Sequence, residues 1–260
     1  MKCFRGKTAL VTGASSGIGE QLARQLAAAG CHLILVARRR ERLDALAGEL
    51  SMVTVDVLPT DLSQPQAPQQ LLRQVDALGR QVDVLINNAG FGYQKPLLEL
   101  SLEEQLGMVD VNVRSVLALT QLFAEGMAER GQGWILQVGS IASYVPIPGM
   151  STYSATKAFV LNLGRALHDE LKPRGITVTT LCPGGTRTEF SSIARQQIDP
   201  NLEWAMMAAD RVAADGLQAL VAGRSVVVPG ALYKTAIQSL RLTPEGLVTR
   251  LSAMVMGRNR

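Results

Sequence analysis

Histidine and cysteine are nearly missing from this chain of 260 residues. The two histidines, His32 and His168, and the three cysteines, Cys3, Cys31 and Cys182, lie far apart with no paired spacing. That pattern argues against a disulfide framework and against a zinc site, and it suits a reducing compartment. Aromatic residues make up only 4% of the chain. With so few rings to stack on bases, the net charge of +4 and the pI near 9.1 read as a solvated basic surface. The basic residues are scattered except in "RRRER" (38–42), and no nucleic-acid partner is expected. Long apolar runs are also lacking. The apolar part of "MKCFRGKTALVTG" is too short for a secretory leader, and no window approaches the roughly 20 apolar residues that span a bilayer. The expected location is the cytoplasm.

What the chain does have is alternation. At 47% hydrophobic residues, its length can bury one large core. Short apolar runs rich in β-branched residues occur at 8–13, 32–37, 52–58, 82–90, 133–140, 176–184 and 225–230. Segments of helical period separate them, with Leu22, Leu26 and Ala29 on one stripe and Leu43, Leu46, Ala47 and Leu50 on another. "SLEE" (101–104) has the form of a capping box and should open a long helix running toward Arg130. Near-continuous apolar strands divided by helices predict a single-domain, doubly wound α/β (Rossmann) fold, a parallel seven-stranded sheet with helices on both faces. The domain is expected to span 1–230, with an irregular substrate lid at about 185–209 and an amphipathic extension of the same domain at 231–260.

Directly after the first predicted strand stands "TGASSGIGE", with Gly13, Gly17 and Gly19 in a G-x-x-x-G-x-G spacing. A strand-to-helix turn in the first βα unit is where a doubly wound sheet receives a pyrophosphate, on the backbone N–H groups of a helix N-terminus. Ser15 and Ser16 would add hydroxyl donors. No G-K-[ST] follows, so the turn is not a P-loop. About twenty residues on, a site preferring NAD places an acid on the ribose hydroxyl. Here Ala37 takes that place and Arg38 and Arg39 follow, which favours NADP, whose 2′-phosphate needs a cation. Arg38, Arg39 and Arg40 would also open the next helix, where the macrodipole disfavours cations unless an anion is bound.

"YSATK" (153–157) places Tyr153 and Lys157 at i and i+4, on one face if the segment is helical. A phenol exchanges protons poorly at neutral pH, and an adjacent ammonium lowers its pKa. The pair then makes a usable acid and base.

With these motifs in place, the chain resembles the short-chain dehydrogenases/reductases, in particular bacterial reductases akin to 3-oxoacyl and hydroxysteroid dehydrogenases. "TGASSGIG", "NNAG" (87–90), "GS" (139–140), "YSATK" and "PGGTRT" (183–188) fall in that family's order over residues 7 to 190. The resemblance implies that Tyr153 passes a proton to the carbonyl oxygen in reduction and removes it in the reverse direction. Lys157 would lower the tyrosine's pKa and bond the nicotinamide ribose. Ser140 would hold the carbonyl, and Asn112 would complete the set through a water relay to Lys157. The same resemblance extends the NADP(H) site to Ile18, to Asp61 and Leu62 near the adenine, and to Asn88, Ala89 and Gly90 beside the ribose. Pro183, Gly184, Thr186 and Thr188 would sit near the nicotinamide and phosphates. No metal is expected.

The lid offers Phe190, Ile193, Ile198, Leu202, Trp204, Met206 and Met207, which could enclose a lipophilic ketone or aldehyde or pack the lid onto the body. Beyond it, Leu232, Ala236, Ile237 and Leu240 form one stripe, and Leu247, Leu251, Met254 and Val255 another. Lys234, Arg241, Arg250, Arg258 and Arg260 lie among and beyond them. Packing on the domain or on another subunit is the commoner fate of such a segment, and resting on anionic lipid the rarer one. The family often forms homodimers or homotetramers. Two further readings stay open: a catalytically idle NADP-binding sensor or scaffold, and a fold that only presents its tail to a membrane.

Overall fold

The alternation of apolar strands and amphipathic helices produces a sheet in the computed structural model, which describes residues 1–195 and 200–240, Gly246 and Thr249, with only the backbone of Pro200, Asn201, Leu202 and Leu240. In chain order the elements begin with β1 (Thr8–Thr12), α1 (Gly17–Ala28), β2 (His32–Ala37), α2 (Arg40–Glu49), β3 (Val55–Pro59), α3 (Ala67–Ala77) and β4 (Val84–Asn87). Next come α4 (Leu102–Val109), α5 (Ser115–Glu129), β5 (Gly133–Val138), α6 (Ser151–Leu171) and β6 (Ile176–Leu181). The chain then forms β7 (Thr186–Arg187), α7 (Phe190–Ile193), β8 (Met207–Ala208), α8 (Ala209–Val221), β9 (Val226–Val227) and α9 (Ala231–Leu240).

The sheet has seven parallel strands in the order β3-β2-β1-β4-β5-β6-β9, and β7 and β8 pair separately. Alternate strand residues feed opposite faces. Val11, Leu33, Leu35, Leu136 and Leu181 pack with Leu22, Leu26, Leu43, Val212 and Leu217 of α1, α2 and α8. Leu10, Ile34, Leu85, Ile135 and Val178 pack with Leu71, Leu119, Phe123 and Met127 of α3 and α5. Each fully buried leucine or isoleucine contributes about 1.5–3 kcal/mol, so the strands are held from both sides.

Several strands stop short of the sequence-based bounds. β4 ends at Asn87 and β6 at Leu181, because "NAG" and "CPG" leave the sheet and turn over its carboxyl edge. β9 covers only Val226–Val227. The capping box at Ser101 forms, with Ser101 Oγ accepting from Glu104 N at 3.2 Å and Glu104 Oε2 from Ser101 N at 3.1 Å. The helix it opens is interrupted by a π-helical turn, Asp110–Arg114, before α5 continues to Glu129.

That run corrects one expectation. Leu102–Glu129 is, among the described residues, long and apolar enough to cross a membrane by length and mean hydropathy. Its inner face lies in the protein core, where Met108, Val116, Leu119, Phe123 and Met127 are buried.

Candidate active site

Strand order reverses at β1, which has β2 on one side and β4 on the other, and ligands of doubly wound sheets bind at the carboxyl ends of the strands flanking this switch. A cavity of about 1350 Å³ opens there. Every catalytic or cofactor-binding residue expected from the sequence lines it except Gly19 and Asn112, which pack against lining residues.

At one end lies the glycine-rich turn. A Cβ on Gly19 would come 2.3 Å from Gly13 O and 2.4 Å from Asn88 Nδ2, so only glycine lets the start of α1 settle onto the turn. Asn88 staples the loop after β4 to the same turn, its Nδ2 donating to Thr12 O at 2.9 Å. No side chain caps the amides that open α1. Such amides, with the Ser15 and Ser16 hydroxyls, form a donor set suited to a pyrophosphate. Asp61 Oδ1 accepts from Ser63 N and Ser63 Oγ, and Leu62 is buried beside it. Past β2, Arg38 is exposed, while Arg39 lies back across the turn, donating to Ser15 Oγ at 3.0 Å and Ser16 Oγ at 2.9 Å. The donor set therefore fits a dinucleotide, and the cations Arg38 and Arg39 line the same end of the cavity.

The other end is lined by buried side chains. Tyr153 and Lys157 are 7% and 5% exposed on the first turns of α6. The Ser140 side chain lies near enough to the Tyr153 hydroxyl to favour its ionised form. Ser140 Oγ accepts from Ala142 N at 3.1 Å, which fixes it at the end of β5. Lys157 Nζ donates to Val138 O at 2.9 Å. A Cβ on Gly92 would meet the Tyr153 ring at 2.4 Å, so this glycine makes room for the phenol.

Asn112 is fully buried in the π-helical turn, a departure from α-geometry often found at functional sites. Its side-chain amide clasps the loop after β4, with Nδ2 donating to Phe91 O at 2.8 Å and Oδ1 accepting from Phe91 N at 3.1 Å. Nδ2 also donates to Thr156 Oγ1 at 3.0 Å, which ties the loop to α6. Asn112 Oδ1 and Lys157 Nζ both lie 3.1 Å from the Cβ position of Gly90, so the two side chains meet at that glycine.

Burial pushes the Tyr153 phenol up to about 12, and the nearby Ser140 side chain pulls it back only in part. Burial likewise holds Lys157 down, at about 8. Desolvation disfavours both charged forms.

The substrate side is apolar. Ile147, Met150 and the lid residues Phe190, Ile193, Trp204 and Met206 line it, and the Phe190 ring stands 5.4 Å from that of Tyr153. Met207 instead packs on the core in β8. Ile198 lies outside the described residues, as do the side chains of Leu202 and Leu240 and the whole of Arg241, Leu247, Arg250, Leu251, Met254, Val255, Arg258 and Arg260. Leu232, Ala236 and Ile237 of α9 turn toward the cavity.

Two residues that the motifs do not reveal help to build the site. Tyr233 Oη accepts from Gly185 N at 3.1 Å and donates to Ala205 O at 3.0 Å, joining α9 to both the "PGG" loop and the lid. Glu189 reaches across the cleft to Arg39 and Arg42, at 2.8 and 2.5 Å. Position offers the one signal for Glu189, which follows Thr188. For Tyr233 no local pattern exists.

A doubly wound sheet with a glycine-rich turn at its switch point and a Ser–Tyr–Lys cluster beyond it defines a nicotinamide-dependent oxidoreductase. Residues 7–199 match the family model described as short chain dehydrogenase. The chain belongs to this family of oxidoreductases. It is 35% identical over 201 residues to a very-long-chain 3-oxoacyl-CoA reductase of Anas platyrhynchos, covering 75% of this chain and 64% of that one, so it spans somewhat under two thirds of that relative's length. Among solved structures, a short-chain dehydrogenase from Sphingobium yanoikuyae in complex with NADPH is 35% identical, with a TM-score of 0.81 and 93% and 94% of the two chains covered. A short-chain dehydrogenase/reductase from Burkholderia phymatum in complex with NAD is 26% identical, also at a TM-score of 0.81, covering 92% and 95%.

Proposed function

We propose that the protein is an NADP-dependent carbonyl reductase or alcohol dehydrogenase acting on a lipophilic ketone or aldehyde, of the 3-oxoacyl or steroid-like kind. The observation that carries this reading is that Ser140, Tyr153 and Lys157 line one end of an apolar cavity whose far end is a dinucleotide cradle. When bound, the nicotinamide supplies or accepts the hydride. Tyr153 and Ser140 hold the substrate oxygen between their hydroxyls, and Tyr153 gives its proton to that oxygen as negative charge develops there. Lys157, fixed by Val138 O, bonds the ribose and supplies a cation beside the phenol. Asn112 positions the loop after β4 and the first turns of α6, and it stands where a water could connect it to Lys157.

NADP is favoured over NAD by Ala37 in the place of an acid and by Arg38 and Arg39 after it. The relatives support both cofactors, since one solved structure carries NADPH and another NAD. The duck reductase's name and the lining of Phe190, Met150, Ile147 and Met206 support a lipophilic substrate. We further infer that the chain works in the cytoplasm as a homodimer or homotetramer. Support for the oligomer comes from exposed Leu102, Leu106, Val109 and Leu117, an apolar stripe along α4 and α5 that the described residues leave uncovered, with exposed Leu98 just before it. The part of the extension in α9 belongs to the same domain, because Tyr233 and Ile237 close the cavity.

The test is NADPH consumption by the full-length protein against long-chain 3-oxoacyl thioesters, steroid ketones and aromatic aldehydes, with Tyr153→Phe alongside. Turnover of one class that disappears in the variant is expected. NADPH binding with no turnover of any class would overturn the substrate assignment, and turnover that survives in Tyr153→Phe would remove the tyrosine from its role.

A further inference from the structure

Glu189 belongs to the lid wall of the cleft and bonds to the opposite wall. It stands one residue after the Pro183–Thr188 stretch, immediately before α7. Its Oε2 accepts from Arg39 Nη1 at 2.8 Å and its Oε1 from Arg42 Nη1 at 2.5 Å. Arg42 and Arg39 together hold the carboxyl far down, at about 2, so it is ionised throughout the physiological range. The three side chains are 38–48% exposed, which leaves the contact in water and open to exchange.

Arg39 and Arg42 occupy the N-cap and first turn of α2, the helix end where cations are disfavoured. Besides Glu41 of the first turn itself, Glu189 brings an anion there from about 150 residues further along the chain. The remaining edge of the Arg39 guanidinium is engaged by Ser15 and Ser16. A phosphate on the adenosine ribose would need that same guanidinium and would bring nearly two negative charges against the Glu189 carboxylate. Both anions cannot hold Arg39 equally well. A ribose hydroxyl makes no such demand.

We propose that Glu189 is an internal anion that competes with the cofactor's 2′-phosphate for Arg39, and so limits how strongly the protein prefers NADP(H) over NAD(H). This rests on the NADP reading above. Binding of NADP(H) would release the first turn of the lid from Arg39, whereas NAD(H) would leave the pair in place.

The experiment compares wild type, Glu189→Gln, Arg39→Ala and the double variant, all full length. Dissociation constants would be measured for NADPH and NADH, and for the fragments 2′,5′-ADP and 5′-AMP. Glu189→Gln is expected to bind NADPH and 2′,5′-ADP about 5–20-fold more tightly, with NADH and 5′-AMP changed less than about twofold. In the Arg39→Ala background the same substitution should have less than about a twofold effect. An unchanged or weakened affinity of Glu189→Gln for 2′,5′-ADP would overturn the proposal, because the carboxylate would then be idle or would serve to hold Arg39 in place. Failure of the NADP reading looks different: wild type would show no preference for NADPH, and Arg39→Ala would change neither cofactor.

Discussion

The two ends of the cleft handle charge in opposite ways. At the adenosine end, Arg39, Arg42 and Glu189 are more than a third exposed and meet as ion pairs in water. At the nicotinamide end, Lys157 is buried with no carboxylate against it among the described residues, its ammonium resting on one backbone carbonyl. Solvent screens the first set, so those contacts adjust affinity and selectivity by modest factors. Burial magnifies every interaction of the second, so those groups set the chemistry and are held at a cost to stability. One cleft thus divides recognition from reaction by degree of hydration.

The largest effect that would sharpen this contrast is expected from Tyr153→Phe. Turnover should fall by about 10³-fold or more while NADPH binding changes only a few-fold, as stopped-flow rates and binding titrations would show. If binding fell as steeply as turnover, the two ends would not be separable.

Lys157→Met is expected to do two things at once. Turnover should drop by about 10²–10⁴-fold. Stability should rise, because the folded state holds the lysine's pKa at about 8 against about 10.4 in an unfolded chain. Between those values the unfolded chain binds a proton that the folded one does not, so stability increases with pH across that window. The penalty of the buried ammonium is therefore complete below about pH 8 and gone above about pH 10.4, and it amounts to about 3 kcal/mol. Leaving the Val138 carbonyl without its donor costs about 1–2 kcal/mol in return. The net expectation at pH 7 is a Tm higher by about 4 °C, shrinking or reversing by pH 10.5, read from thermal melts at both pH values. A variant that melts lower at pH 7 would show that the lysine is stabilising where it lies.

At the solvated end the expected effect is smaller. Arg39→Ala should reduce the preference for NADPH over NADH by about 10–100-fold, with kcat nearly unchanged. A large loss of kcat would mean that the adenosine end reaches into the chemistry after all.

How far the sequence revealed each end follows from the same contrast. The buried end was legible because its chemistry demands particular side chains at fixed helical spacing, as in Tyr153 and Lys157, and the glycine-rich turn at the other end because no Cβ fits at Gly19. The sheet was legible from its apolar strands, whose registers leave little freedom. The extension of the strands into "NAG" and "CPG" was misjudged because apolar and small residues continue past the point where hydrogen bonding stops. The π-helical turn was invisible, since nothing in "DVNVR" departs from helical composition. Arg39 could be assigned to an anion, but the sequence could not show that Glu189, distant along the chain, already provides one. The burial of Tyr153, which raises its pKa, leaves no mark in the sequence, whereas its pairing with Lys157 does.

Tyr233 shows the limit of local patterns and gives the smallest expected effect. Its ring fills the space that a Cβ on Gly184 would enter, and its hydroxyl joins Gly185 N to Ala205 O. It is not a motif residue, and its role is to hold the Gly184–Gly185 loop, which would stand beside a bound nicotinamide. Tyr233→Phe keeps the ring and removes both hydrogen bonds, which should lower stability by about 1–2 kcal/mol. KM for NADPH should rise a few-fold while kcat at saturation falls less than about threefold, because the loop is shifted and the proton donor is not. Tyr233→Leu, which also empties the space beside Gly184, should lose more stability than Tyr233→Phe and more than double its KM effect. If both variants left KM unchanged and only the Tm fell, α9 would be a cover for the cavity with no part in shaping the cofactor loop.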